Sequence, residues 1–245
     1  MKITVVGFWH AYPEAGEAAS GYLIEENGFS LLIDCGSGVV SNVQRYIKLE
    51  HIDAVVISHY HNDHVSDIGA FHYFRLLQPY IQTAPAKPVR VFGHRKDHNG
   101  FAGLSYKTIV EAEAYEENTP NQIGPFVFQF YPVQHAVPCF AMRIQGNSGC
   151  LFYTADTSYF EKLAEWAEGA DLLIAEASLY SGQDGSGPGH MTSIEAGRLA
   201  ARAEVKELLL THLPHFGNRQ QLVKEAESVY DGTIHLAASG WNKTI

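Results

Sequence analysis

Four side chains able to bind a metal crowd one short stretch of this chain: His59, His61, Asp63 and His64, in the pattern H-x-H-x-D-H. Imidazole nitrogen and carboxylate oxygen form a donor set that zinc accepts, and to a lesser extent manganese or iron. The preceding Val55-Val56-Ile57 is apolar and β-branched, and reads as the end of a buried strand. A strand end followed by a tight loop can aim all four side chains into one small volume. The competing reading, a solvated loop that is merely rich in histidine, suits two histidines better than four donors.

The same grammar recurs further on. A strand predicted over 126–133 is followed at once by His135, a hairpin over 141–144 and 150–153 delivers Asp156, and a strand over 208–211 runs into His212. In layered α/β proteins the ends of strands converge on one edge, where such folds carry their sites. Glu176 lies in a strand predicted over 172–177. His190 follows a glycine-rich loop over 181–189 and precedes a helix start at Thr192 or Ser193, with Glu195 in its first turn. These two are either a strand-end acid and a loop residue, or a working pair on the metal edge. Asp34, in Asp34-Cys35-Gly36, is either a turn former or helix-capping acceptor, or a carboxylate supporting the metal site.

Positioning these groups calls for alternating strands and helices. A first strand stops at Gly7, a loop covers 9–20, and strands over 22–25 and 29–33 form a hairpin through Glu26-Asn27-Gly28. Apolar spacing predicts a helix over 39–49 and another from Ile68 through Leu76 that ends before Pro79. A breaker at 85–88, a strand over 89–93, a helix over 222–230 and a closing strand over 234–237 complete the reading. His72 reads as a packed or surface histidine. His94 and His98 are spaced as a helical pair, but Gly93, Asn99 and Gly100 favour a loop there. Arg90, Arg95 and Lys96 are either solvated charge or a contact for a phosphate-bearing substrate.

A length of 245 residues suffices for a full core, and 46% hydrophobic with 18% charged residues is ordinary for a globular chain. A net charge of −10 argues against a broad nucleic-acid surface, although bound divalent cations would reverse the field locally. Cys35, Cys139 and Cys150 are odd in number and widely spaced, which suggests reduced thiols. No apolar run approaches the roughly 18 residues of a membrane span, and the N-terminus lacks a basic region followed by an apolar one. Cytoplasmic residence is the expectation.

The H-x-H-x-D-H pattern after its strand, with the later residues in the same order, resembles the metallo-β-lactamase superfamily over nearly the whole chain. The resemblance implies an α/β fold of four layers, an αββα sandwich with two mixed β-sheets face to face, as a single domain over 1–245. It implies two zinc ions, with Mn2+ or Fe2+ acceptable to the same donors. His59, His61 and His135 would hold one, Asp63, His64 and His212 the other, and Asp156 would bridge them, with Asp34 orienting a ligand histidine. A water between two such cations is hydroxide at neutral pH.

Within the superfamily the chain looks most like ribonuclease Z and its short-form relatives, on Ala175-Glu176-Ala177-Ser178 and Gly189-His190-Met191-Thr192. There the histidine stabilises or protonates the leaving group and the carboxylate orients its ring. Glu176 and His190, with Asp63, are therefore the implied catalytic group, and an RNA 3′ end or a small or cyclic phosphodiester is the implied substrate. Ribonuclease Z proper grips tRNA with a long Gly/Pro-rich arm; no insertion here is long or basic enough, which counts against tRNA. Homodimerisation is also implied by the resemblance. Trp9, His10, His215 and Phe216 are candidates to line the pocket, His10 and His215 reading equally well as loop histidines. Two rival readings are a lactonase, thioesterase or β-lactamase-like hydrolase attacking a carbonyl, and a metal-binding module without catalysis. The Glu176/His190 pair argues against the first, and open coordination positions against the second.

Overall fold

The computed structural model describes residues 1–81 and 88–245. Six strands come first: β1 (Lys2–Gly7), β2 (Gly21–Glu26), β3 (Phe29–Ile33), β4 (Ala54–Val56), β5 (Val89–Gly93) and β6 (Val110–Ala114). Seven follow, β7 (Pro120–Ile123), β8 (Phe126–Pro132), β9 (Phe140–Gln145), β10 (Cys150–Tyr153), β11 (Leu172–Glu176), β12 (Glu207–Thr211) and β13 (Thr233–Leu236), and β14 (Asn242–Thr244) ends the series. They form two seven-stranded sheets, in the orders β14-β1-β2-β3-β4-β5-β6 and β13-β12-β11-β10-β9-β8-β7. Both are mixed: β3 to β6 run parallel, as do β10 to β13, while β1, β2 and β3 and the strands from β7 to β10 pair antiparallel.

Strand periodicity explains the layering. On the first sheet Ile3, Val5, Tyr22, Ile24, Leu31, Ile33, Ala54 and Val56 face the core shared with the second sheet. Their neighbours Val6, Leu23, Leu32 and Val55 face the other way, into a second cluster with Val39, Val40, Val43, Ile68 and Phe71. A strand buried on both faces reads as a continuous apolar run, as 31–33 and 54–57 do. Each such aliphatic side chain contributes about 1.5–3 kcal/mol on burial. Between the sheets, Tyr22 meets Tyr153, Phe29 meets Phe126, and Tyr115 stacks on Phe130 with ring centroids 3.7 Å apart. The outer faces are covered by α1 (Val39–Val43) and α3 (Ile68–Ile81) on the first sheet, and by α6 (Ser193–Arg202) and α7 (Arg219–Glu227) on the second. Short helices α2 (Asn62–Val65), α4 (His98–Gly103) and α5 (Lys162–Ala167) lie between. Among the described residues, no helix is long and apolar enough to cross a membrane.

Several boundaries differ from expectation. The helix predicted to stop before Pro79 is described as far as Ile81 with Pro79 inside it, so the proline does not end it, although it leaves the carbonyl four residues earlier without its helical partner. The helix expected over 39–49 is α-helical only to Val43; Arg45, Tyr46 and Ile47 continue in hydrogen-bonded turns, which keep the apolar spacing without a regular helix. Most of the breaker at 85–88 lies outside the described residues. His98 opens a short helix rather than a loop, because the Asp97 carboxylate accepts from the N–H groups of Asn99 and Gly100. The last helix begins earlier than 222, capped by Asn218. Strands β6, β7 and β14 carry polar, exposed positions, so no apolar run announces them.

Candidate metal centre

The C-terminal ends of parallel strands from both sheets open onto one edge, and every residue singled out for chemistry lies just past such an end or beside it. Asp34 follows β3 and the H-x-H-x-D-H loop follows β4, on the first sheet. Asp156 follows β10, Glu176 ends β11 and His212 follows β12, on the second. Asp34, Ala155 and His212 each take a left-handed backbone, φ 55°, 51° and 53°. Such residues cost energy and persist where surrounding structure fixes them, which here turns the chain into the site. Gly36 allows the loop after β3 to lie against the metal loop: a Cβ there would come within 1.9 Å of the Asp63 carbonyl oxygen.

All seven residues expected to hold metal meet. Donor atoms of His59, His61, His135 and Asp156 lie within 4.8 Å of one another, and so do those of Asp63, His64, Asp156 and His212. In the first set His61 Nδ1 is 3.2 Å from His59 Nε2 and 3.0 Å from His135 Nε2. In the second, His212 Nε2 is 3.1 Å from Asp63 Oδ2, and Asp156 Oδ2 is 3.3 Å from His64 Nε2 and 3.4 Å from His212 Nε2. Asp156 Oδ2 is also 3.7 Å from His59 Nε2, so one oxygen stands between both sets.

Hydrogen bonds behind the rings assign the tautomers. Asp34, fully buried, accepts from Ser58 N–H at 2.7 Å, Ser58 Oγ at 2.8 Å, Tyr153 OH at 2.9 Å and His64 Nδ1 at 2.7 Å. His64 thus carries its Nδ1 proton toward Asp34 and turns Nε2 to the cluster. The Ser58 hydroxyl proton is committed to Asp34, so at 3.1 Å from His59 Nδ1 the serine accepts. His135 Nδ1 donates to the Gly189 carbonyl at 2.9 Å. Ser178 Oγ donates to Glu176 Oε2 at 2.6 Å and so accepts from His212 Nδ1 at 2.9 Å. Four rings are therefore fixed with Nε2 lone pairs converging.

This donor set fits a cation. Lone pairs directed at one another about 3 Å apart repel unless a positive charge lies between them, and tetrahedral zinc with Zn–N bonds of about 2.0–2.1 Å spaces its nitrogens only slightly wider. The other Asp156 oxygen, Oδ1, is buried with no hydrogen-bond partner. An unpaired carboxylate oxygen in a dry interior is costly, and a metal ion would satisfy it. Electrostatics agree. Burial and the surrounding imidazoles hold His59 well below its ordinary range. Burial works against the Asp156 and Asp63 carboxylates, yet His212 and His64 keep both ionised far below the usual carboxylate range. Burial opposes charge on His64 as well, but Asp156 and Asp34 push it well above normal, so with no ion present a proton takes up the Nε2 lone pair that a cation would otherwise use.

At the mouth, His190 Nδ1 lies 3.0 and 3.2 Å from the two oxygens of Glu176, which is itself anchored by Thr157 N–H at 2.7 Å and Ser178 Oγ. Burial lowers the affinity of His190 for its proton, but the Glu176 charge and hydrogen bond outweigh it and raise the ring to about 9. Its ring lies 5.3 Å from that of His135 and 5.5 Å from that of His212, centroid to centroid. His10, half-buried, stands edge-on to both His190 and His212.

Elsewhere the sequence candidates take other parts. His72 is packed, Nε2 to the Leu104 carbonyl at 3.0 Å. His94 is buried and His98 exposed, and neither joins a donor set. Arg90 and Lys96 pair with Glu113 and Glu117, and Arg95 lies over Phe101. His215 stacks on Trp9 and on Tyr12. Sequence reading did not find Ser58, Tyr153, the Gly189 carbonyl, Ser178 or the Ala11 N–H, which reaches Asp63 Oδ2 at 2.9 Å. Backbone groups carry no residue-type signal; Ser178 could have been found, two positions from Glu176.

A sequence profile described as Beta-lactamase superfamily domain matches residues 30–213. The probable metallo-hydrolase YhfI of Bacillus subtilis (strain 168) is 44% identical over 241 residues, covering 98% of each chain. The crystal structure of YhfI, a metallo-beta-lactamase fold protein, matches with a TM-score of 0.95 at 43% identity, over 99% of this chain and 98% of that one. Ribonuclease Z of Ignicoccus hospitalis is 26% identical over 289 residues, covering 94% of this chain and 93% of that protein. Human tRNase Z, short form, shares the fold, with a TM-score of 0.77 at 21% identity over 100% of this chain and 99% of that one. Two mixed sheets flanked by helices, a profile spanning most of the length and a close structural match together establish that the chain has the metallo-β-lactamase fold and belongs to the β-lactamase superfamily.

Proposed function

We propose that this chain is a metal-dependent hydrolase that cleaves phosphodiesters, in RNA 3′ ends or in small or cyclic molecules. His59, His61 and His135 would hold one divalent cation, Asp63, His64 and His212 a second, and Asp156 both, with zinc foremost. Such cations, when bound, lower the pKa of water toward neutrality and offset charge developing on a phosphoryl oxygen. The observation that carries the phosphodiester reading is the Glu176–His190 pair. A carboxylate held by Thr157 N–H and Ser178 Oγ fixes the His190 Nδ1 proton and supports a positive ring whose Nε2–H can serve as an acid. As the bond from phosphorus to the leaving oxygen breaks, that oxygen takes the Nε2 proton and departs as an alcohol. Attack on an activated carbonyl has less need of such an acid. The name of the Ignicoccus relative, ribonuclease Z, supports the same class.

The test compares purified, zinc-loaded protein on a phosphodiester with an alkoxide leaving group, a bis-aryl phosphodiester and a lactone. Turnover of both diesters is expected. His190→Ala should keep its zinc and lose about 10²–10⁴-fold on the alkoxide substrate, much less on the aryl one. Lactone turnover without diester turnover would overturn the reading.

A further inference from the structure

We propose that His10 is a further catalytic residue of this site, a neutral imidazole whose Nε2–H donates a hydrogen bond to an oxygen of the reacting phosphoryl group. The proposal rests on the phosphodiesterase reading above. Hydrogen-bond accounting carries it. The single proton of Ser178 Oγ goes to Glu176, so the proton between Ser178 and His212 sits on His212 Nδ1. His10 Nδ1 lies 3.3 Å from that same nitrogen. A protonated His212 Nδ1 has no lone pair to accept a hydrogen bond, so an N–H on His10 Nδ1 would face a nitrogen that cannot receive it; His10 Nδ1 therefore presents its lone pair and its proton is on Nε2. No described residue is hydrogen-bonded to His10 Nε2, and it is not among the buried polar atoms left without partners, so it is not sealed from solvent and its proton is free for a ligand.

The ring is held where a substrate would meet it. Its centroid is 4.9 Å from that of His190 and 4.7 Å from that of His212. The backbone is tied on three sides: His10 N–H to the Leu213 carbonyl at 3.2 Å, the His10 carbonyl to His215 Nε2 at 3.0 Å, and Ala11 N–H to Asp63 Oδ2 at 2.9 Å. Ala11 takes φ 62° to make that last contact, a left-handed conformation spent on locking the loop to a metal-binding carboxylate. His190 and His10 then divide the work: one gives up a proton, the other offers a fixed N–H to charge that grows in the transition state.

The experiment measures zinc-loaded wild type, His10→Phe and His10→Gln. Phe keeps a ring against His190 and His212 without nitrogen; Gln restores an amide donor. Isothermal titration with inorganic phosphate should show about tenfold weaker binding in the Phe variant, the loss of one hydrogen bond to a charged group, and recovery in Gln. Its kcat on the alkoxide diester should fall about 10²-fold or more, as for other lost transition-state donors. Zinc content, measured on the same samples, should equal that of wild type. Long-range ¹H–¹⁵N correlation on the zinc-loaded wild type should place the His10 proton on Nε2, which decides the matter if the Phe variant fails to fold. Phosphate affinity and kcat unchanged in the Phe variant, with diester turnover intact in wild type, would overturn this proposal alone; so would an Nδ1 proton on His10. A wild type that hydrolyses no diester sinks the functional reading and this one with it.

Discussion

The two sheets furnish the metal centre in different ways. The first contributes His59, His61, Asp63 and His64 from a single loop, braced by its own backbone: His64 N–H bonds to the His61 carbonyl, Cys35 N–H to His64 and Ser20 N–H to Asp63. The second contributes His135, Asp156 and His212 singly, each past the end of a different strand. One half is a local motif and the other an assembly that exists only when three separate strands, β8, β10 and β12, take their places in the sheet. The lesson is that the two halves depend on each other unequally. Asp156 is the residue at which they meet, since its Oδ2 lies near histidines of both donor sets.

Breaking that junction should have the largest effect. Asp156→Ala removes the shared carboxylate while leaving the first-sheet loop intact. Several kcal/mol of charge stabilisation would be lost, about a thousandfold or more in turnover. Elemental analysis should find zinc below two equivalents. Undiminished turnover would show the halves to be independent. A smaller effect is expected inside the first half. Asp34→Asn keeps the size of the side chain but weakens the acceptor for His64, Ser58 and Tyr153. Zinc affinity, measured against a chromogenic chelator, should fall about 10–100-fold.

The smallest expected change sharpens the contrast at the mouth. In protein stripped of metal, His190 should titrate near 9 against its ordinary 6.5, and His10 near 3, both readable by NMR. Burial weighs on each; Glu176 reverses it for His190 alone. A folded-state pKa raised above the unfolded value adds stability that is complete below about 6.5 and lost as pH rises through about 9. Glu176→Gln should bring the His190 titration down and flatten that loss. A His190 midpoint that stays put would remove Glu176 as the cause.

The unequal halves also explain how much could be read beforehand. The H-x-H-x-D-H loop is legible because its donors are neighbours in sequence, and β3 and β4 because burial on both faces makes them continuously apolar. His135, Asp156 and His212 are each unremarkable alone and became visible as a repeated pattern of strand then donor. The resemblance to a known superfamily, not the spacing, supplied their pairing into two sets. The exposed strands β6, β7 and β14 have too few apolar side chains to signal themselves, and Pro79 lies within a helix that apolar spacing alone would have carried past it. Supporting contacts made by main-chain groups, such as Ala11 N–H and the Gly189 carbonyl, are set by tertiary position and leave no trace in residue type.

Gly189 is more than a turn. Its carbonyl fixes the tautomer of His135, and the residue beside it is His190, so one segment of chain both orients a histidine of the first donor set and carries the histidine proposed as the acid. A Cβ at Gly189 would come within 2.7 Å of the His135 backbone, leaving no slack between the two. Any swing of the 181–189 loop as substrate enters or product leaves is therefore transmitted to His135. If His135 holds an ion as proposed, its retention and passage through the mouth would be coupled at this one glycine.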